Sequence, residues 1–338
     1  MNEYMHNHYE QNKNSGIIRV TVKDEIIYEN SVGFADVENR IPFKTDSVFT
    51  LYSISKPFCA MGLLKLKDKN IVDIDVHPSR YVPEAKHFDS RVTIRHLLQH
   101  ISGLPDFVQT AKFNEKYEKG RPEEMRAQLE LLAKYPMQFA PGTDEMYANV
   151  NYILCALIIE NVSGLEYSEY MNNEVFKPLG MKSAQVDNGV VVSDKVTGYE
   201  LENGKIISVL PDRNWMFGAG DIAGTLDDVY CLNKAIKHRL FLKDETWEDV
   251  LKPSPLNSMG LGCTISNWHG KKRITHNGGS RGFRTMHIQI PSEDFDIIYL
   301  SNSGWGEARN DYAEAVHMAY FGVDNVKDDA VKMDTGYI

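Results

Sequence analysis

Cysteine is scarce in this chain, four among 338 residues, and Cys59, Cys155, Cys231 and Cys263 show no C-x-x-C spacing. That excludes a disulfide framework and the paired-thiol zinc and redox motifs. Buried free thiols are the expectation, three of them in segments of helical pattern. No run of 18 or more apolar residues offers a membrane span. The polar start, Met1-Asn2-Glu3-Tyr4-Met5-His6-Asn7-His8, lacks the basic-then-apolar order of an export signal, so a cytoplasmic location is expected. Basic charge is short as well: 37 Lys and Arg stand against 47 Asp and Glu, a net charge of −10. Nucleic acid and anionic membrane reward a basic face and are excluded as main partners. A small molecule or short peptide remains. Internal repeats, low-complexity tracts and long linkers are also missing.

What is present is enough apolar residue, 42% of the chain, to bury a large core in one domain over 1–338. Two β-branched runs, Gly16 to Val22 and Glu25 to Tyr28, flank Lys23-Asp24 and read as a hairpin. Near the other end, Arg284 to Ile290 and Asp296 to Leu300 flank the turn Pro291-Ser292-Glu293-Asp294 in the same way. Between them, Cys59 to Lys69, Thr93 to His100, Pro122 to Lys134 and Asn151 to Val162 carry helical apolar spacing. The pattern predicts an α+β fold: an antiparallel sheet formed by both chain ends (16–58 and 241–322), flanked by helices, with a mainly helical part (59–240) inserted. The tail from Asp324 to Ile338 is polar and expected to be loosely held.

Ser53-Ile54-Ser55-Lys56 stands at the junction of sheet and helices. On a helix, residues i and i+3 share a face, so the Lys56 amine can reach the Ser53 hydroxyl and activate a poor nucleophile. The same motif arises about once by chance in a chain of this length, and either serine can equally cap the helix that follows. Tyr147-Ala148-Asn149 offers a phenol between the turn Pro141-Gly142-Thr143 and a helix, although Tyr28-Glu29-Asn30 and Tyr170-Met171-Asn172 repeat the spacing. His276-Asn277-Gly278-Gly279 reads as a strand along a cleft, where glycine lets a substrate approach the backbone, or as a hairpin corner. His96 and His100 are four apart, the spacing of a helical zinc pair. The residues between them, Leu97-Leu98-Gln99, lack the glutamate of a zinc protease, and no third ligand is evident. No cofactor or metal is expected. Trp215, Phe217, Tyr199, Trp268 and Phe283 are candidate pocket walls or ordinary core.

Together these segments resemble the serine β-lactamase and penicillin-binding-protein superfamily, in particular its class C-like branch of esterases, D-aminopeptidases and DD-peptidases. Gly33-Phe34-Ala35-Asp36, the run from Thr93 through His100-Ile101-Ser102-Gly103-Leu104-Pro105, Gly218-Ala219-Gly220-Asp221 and Leu300-Ser301-Asn302 look like further landmarks, so the resemblance covers about 16–320. The resemblance implies Ser53 as acylated nucleophile, Lys56 as its base or proton relay and Tyr147 as second proton-transfer group. It implies the backbone N–H groups of Ser53 and Gly279 as oxyanion hole. Asn149, His276, Asn277, Gly278 and Arg281 would contact substrate, with Arg284 an alternative to Arg281. His276 stands where many relatives carry lysine, and Asn277 replaces a small hydroxyl residue, both unfavourable for β-lactam hydrolysis. The implied activity is hydrolysis of a small ester or amide, as by a carboxylesterase or D-amino-acid peptidase. A β-lactamase or DD-carboxypeptidase, and a non-turnover acyl receptor, are the alternatives. If His276 works as a neutral imidazole with an ordinary pKa near 6.5, activity should fall as pH drops below that value.

Overall fold

The computed structural model describes residues 1–106, 122–187, 195–210 and 216–322. After helix α1 (Asn2–Asn12), strands β1 (Gly16–Val22) and β2 (Glu25–Val32) form the expected hairpin. Lys23 and Asp24 both take left-handed backbone (φ 50° and 62°), the geometry that matches a tight turn to the twist of its strands. Two short elements follow: β3 (Phe49–Thr50) and a 3₁₀ turn over Tyr52–Ile54 that runs directly into α2 (Ser55–Asp68). The helical part holds α3 (Ile94–Leu98), α4 (Pro122–Leu132), α5 (Asn149–Ser163) and α6 (Tyr167–Tyr170), then strands β4 (Gln185–Val186), β5 (Gly198–Glu202), β6 (Lys205–Val209) and β7 (Ile222–Gly224). The chain returns through α7 (Leu226–Lys237) and α8 (Asp244–Val250) to β8 (Thr264–Trp268), β9 (Lys271–Ser280), β10 (Phe283–Ile290), β11 (Phe295–Ser301) and α9 (Ala308–Phe321).

The main sheet has the order β2-β1-β11-β10-β9-β8, so the first strand pairs antiparallel with the last and the chain ends close one sheet, as the sequence pattern predicts. One face is covered by α1 and α9 over a core of Ile18, Met286, Ile288, Ile297 and Tyr312. The larger core lies among the helices and on the opposite face, where α2 and α5 are buried nearly all round. Helices with so little polar surface are stable only as interior elements, which explains the unbroken apolar run Tyr152 to Ile159. Cys59, Cys155 and Cys263 are buried free thiols, and burial pushes the thiols of Cys59 and Cys263 up to about 12. Among the described residues no helix is long and apolar enough to cross a membrane. Trp215 and the tail from Asp324 lie outside the described residues.

Two features of this frame create a site. Strand β8 pairs with β9 only over Lys271 to Thr275, so His276 to Ser280 continue beyond its end as an open edge. Against that edge lies the Leu51 to Ser53 segment. The Leu51 N–H donates to the Ile222 carbonyl (2.9 Å) and the Leu51 carbonyl accepts the Thr285 hydroxyl (2.8 Å), which ties the start of α2 to both β7 and β10. Asn277-Gly278 is therefore mid-strand rather than a hairpin corner; the corner is at Ser280-Arg281-Gly282.

Candidate active site

Ser53 sits in the 3₁₀ turn, just after Tyr52, whose backbone is left-handed (φ 48°) although its ring is buried. A non-glycine residue held there is strained, and the surrounding packing must impose it. Neither serine caps the helix: no side-chain cap bond is made at α2, and the Ser55 hydroxyl instead accepts the Ile222 N–H (2.9 Å). Ser53 Oγ meets Lys56 Nζ at 2.9 Å, and Lys56 is completely buried. The same amine donates to Asn149 Oδ1 (2.9 Å) and to the Ala219 carbonyl (2.8 Å). Three acceptors for three N–H groups satisfy a buried ammonium. A neutral amine could keep the last two bonds and turn its lone pair to the Ser53 hydroxyl.

Asn149 and Ala219 are each held in place by a further carboxylate. Asn149 opens α5, where Asp106 acts as a cap from a distant loop, its carboxylate accepting the N–H groups of Asn149 (2.9 Å) and Val150 (3.2 Å). Ala219 belongs to the Gly218 to Asp221 turn, which Asp221 closes by accepting the Gly218 N–H on Oδ2 (2.9 Å). The other oxygen of this carboxyl is buried without a partner among the described residues, and burial pushes its pKa up to about 7.

Tyr147 borders the same space, with Lys56 Nζ 4.7 Å from the centre of its ring. Tyr28 packs instead by α1, its hydroxyl on Asn2 Oδ1 (2.7 Å), and the Tyr170 hydroxyl donates to the Gly62 carbonyl (3.0 Å). Only the Y-x-N at 147 is thus brought to Ser53. From the sheet, His276 comes within 6.3 Å of the Tyr147 ring. Its Nδ1–H donates to the Asn277 carbonyl (2.7 Å), so Nε2 carries the lone pair, and that nitrogen is buried with no partner among the described residues. Burial, and then the charge of Lys56, push the pKa of His276 down to about 3. This corrects the expectation of an ordinary value near 6.5: the ring stays neutral well below the pH range in which it was expected to titrate.

Gly278 has a different duty from the one expected. An added Cβ there would lie 2.1 Å from the Leu51 carbonyl oxygen and 3.1 Å from the Ser53 nitrogen, so the backbone of the Ser53 segment itself, rather than a substrate, demands glycine. Gly279 follows on the open edge, and Asn277 points to the face opposite His276, both bordering a cleft of about 390 Å³ that Ser53, Tyr147 and His276 also line. Arg281 is not part of it. Its side chain is exposed at the hairpin corner, and its carbonyl accepts the Tyr52 hydroxyl (2.9 Å). The arginines that border the cleft are Arg273, Arg284 and Arg309. Arg284 is tied to the carbonyls of Ser280 and Phe283, and Arg309, reaching over from α9, to that of Gly278 (2.8 Å). Arg309 follows no motif and is found only through the packing of α9. Of the aromatic candidates Trp268 lines the cleft; Phe217 and Phe283 are core, and the Tyr199 hydroxyl binds Glu38 and the Val37 N–H.

The elevated pKa of Asp221 has a measurable consequence. Between its ordinary 3.8 and about 7 the folded state holds a proton that the unfolded chain has released, so this group makes stability fall as pH rises through that window. The loss amounts to ~4 kcal/mol and levels off above the upper value. Asp221→Asn keeps the acceptor for Gly218 and cannot ionise; in urea titrations from pH 4 to 8, the variant should gain stability over wild type progressively with pH. A constant difference across that range would refute the assignment.

Comparison with known proteins identifies the family. The family model described as Beta-lactamase matches residues 2–319. Penicillin-binding protein 4* of Bacillus subtilis (strain 168) is 30% identical over 91% of this chain and 71% of its own length. A D-aminopeptidase of Gluconobacter oxydans (strain 621H) is 25% identical over 85% of this chain, which spans only 55% of that longer protein. Among solved structures, the octameric penicillin-binding protein homologue from Pyrococcus abyssi superposes with a TM-score of 0.83 at 24% identity, covering 94% of this chain and 76% of the other, and shares the fold. With a family match that runs nearly from end to end, this chain belongs to the β-lactamase family and is an enzyme of its serine-hydrolase kind.

Proposed function

We propose that this protein hydrolyses a small ester or amide through an acyl-enzyme on Ser53. The observation that carries the reading is the contact of a fully buried lysine with the Ser53 hydroxyl, the same amine donating to Asn149 and to the Ala219 carbonyl. In the first half-reaction Lys56 acts as the neutral amine: Ser53 Oγ attacks the substrate carbonyl while its proton passes to the lone pair of Nζ, giving the ammonium, and the new oxyanion is held by the N–H groups of Ser53 and Gly279. The bond to the leaving group then breaks, and Tyr147, beside Lys56, delivers the proton to the departing oxygen or nitrogen. In the second half, water attacks the acyl carbon, loses its proton along the same path, and releases the acid from Ser53.

The chemistry at position 276 favours an acyl compound bound there without a carboxylate contact over a β-lactam. A lysine at position 276 would offer a permanent positive charge to a carboxylate; the buried, neutral His276 offers a lone pair instead. The name of the D-aminopeptidase relative supports an aminoacyl amide or short peptide as the natural class of substrate.

A fluorophosphonate probe should label the wild type and leave Ser53→Ala unlabelled, and the wild type should turn over p-nitrophenyl esters or D-aminoacyl amides faster than nitrocefin. Equal labelling of both proteins would remove Ser53 from the mechanism, and labelling without turnover would favour an acyl receptor. Tyr147→Phe should lower kcat by about 10²–10⁴ if the phenol transfers a proton in the rate-limiting step; unchanged turnover would exclude it. Because His276 is already neutral, it should contribute no inflection to kcat/KM between pH 5 and 8, and His276→Gln should leave the acid limb where it is. A limb in that interval that vanishes in His276→Gln would show that the imidazole does titrate there.

A further inference from the structure

His100 lines the cleft but takes no step in the reaction above. Its spacing from His96 suggested a zinc pair, yet the two residues diverge. His96 remains in α3 and its Nδ1 accepts the Thr93 N–H (3.2 Å) as half of a capping box. His100 lies past the end of that helix in the left-handed region (φ 57°), which turns its side chain inward until it is only 2% exposed. A histidine held in that conformation is uncommon, and its contacts show what imposes it. The backbone carbonyl accepts the Met146 N–H (3.0 Å), and Nδ1 accepts the Ala148 N–H (3.2 Å). The ring stacks on Tyr147 at 4.3 Å between centres and 26° between planes. One residue therefore grips the chain immediately before and after the phenol and also covers the phenol itself.

The tautomer follows from the same geometry. Besides Ala148, Nδ1 receives Asn151 Nδ2 (3.1 Å), whose amide is oriented by the Ser102 hydroxyl donating to Asn151 Oδ1 (2.7 Å). Two N–H groups converging on one ring nitrogen leave it no room for a proton, so a neutral ring carries its hydrogen on Nε2. Burial, with the nearby charge of Lys56, agrees by holding the pKa well below the usual histidine range. Simple core packing would require a ring of this size but not an acceptor at Nδ1, nor a strained backbone.

We propose that His100 is a positioning residue for Tyr147: through its carbonyl, its unprotonated Nδ1 and its ring face it holds the phenol in register with Lys56 and Ser53. The inference rests on the proton-transfer role assigned to Tyr147 above. Because displacement of a reacting group by about 1 Å costs roughly 10²-fold in rate, His100→Ala should lower kcat for a p-nitrophenyl ester by that order with KM little changed. His100→Asn tolerates the left-handed backbone and carries an acceptor near the place of Nδ1, so it should recover part of the loss.

The discriminating measurement is the double variant. If His100 acts through Tyr147, His100→Ala should add little to Tyr147→Phe; a full further loss there would overturn the proposal while leaving the role of Tyr147 intact. If Tyr147→Phe alone is silent, the reading of Tyr147 fails and the proposal falls with it. A readout that needs no substrate is ¹⁵N NMR of the histidine-labelled wild type at pH 7, with the signal assigned by its loss in His100→Asn. The expected ring is neutral and protonated at Nε2. A charged ring, or one protonated at Nδ1, would refute the clamp even where His100→Ala fails to fold.

Discussion

The Lys56 side chain is fully buried, and an amine taken out of water is costly unless each hydrogen finds an acceptor. The acceptors come from three remote parts of the chain, at 53, 149 and 219, and each is held by a further layer of structure. Asp106 caps the helix that presents Asn149. Asp221 closes the turn that presents Ala219. Gly278 admits the backbone of Ser53 against the open edge of β9. Displacing any one of them disturbs an acceptor of the Lys56 amine, so the fold around the cleft and the surroundings of Ser53 are coupled through these bonds.

Electrostatics in the cleft follow from that burial. His100 and His276 are kept uncharged chiefly by desolvation, with the Lys56 charge acting in the same direction, while Asp221 is driven toward its neutral form. Uncharged imidazoles bind through tautomer and lone pair rather than through charge. At position 276 the cleft therefore offers a lone pair where a lysine would offer a charge.

Much of the frame was legible in the residues. The hairpin at Lys23-Asp24 and the strands before and after Pro291 follow from β-branched runs and turn chemistry, which are local, and strands at both chain ends pointed to one sheet closed by both. The S-x-x-K pair was legible for the same reason, since three residues on a helical turn determine their own distance. Choosing among the Y-x-N segments at 28, 147 and 170 was harder, because that choice depends on which loop packs against Lys56. Arg281 and Arg309 show where local reading ends. The first sits beside the strand motif and turns outward at a hairpin corner, whereas the second lies some thirty residues away and reaches the Gly278 carbonyl only because α9 covers the sheet. The ordinary pKa assumed for His276 failed for a related reason: desolvation is a property of everything packed around a ring.

The sequence by itself determined the main elements, their order, the serine and lysine on one turn, and a composition suited to a small molecule or short peptide rather than to nucleic acid. These rest on interactions between residues close in the chain or on sums over all of it. Only the tertiary structure decided which tyrosine joins the lysine, why Gly278 must be glycine, how Asp106, Asp221 and His100 support the site, and which ring nitrogens carry protons. Those outcomes depend on burial and on how segments distant in the chain pack together, and neither has a local signature that composition or spacing records.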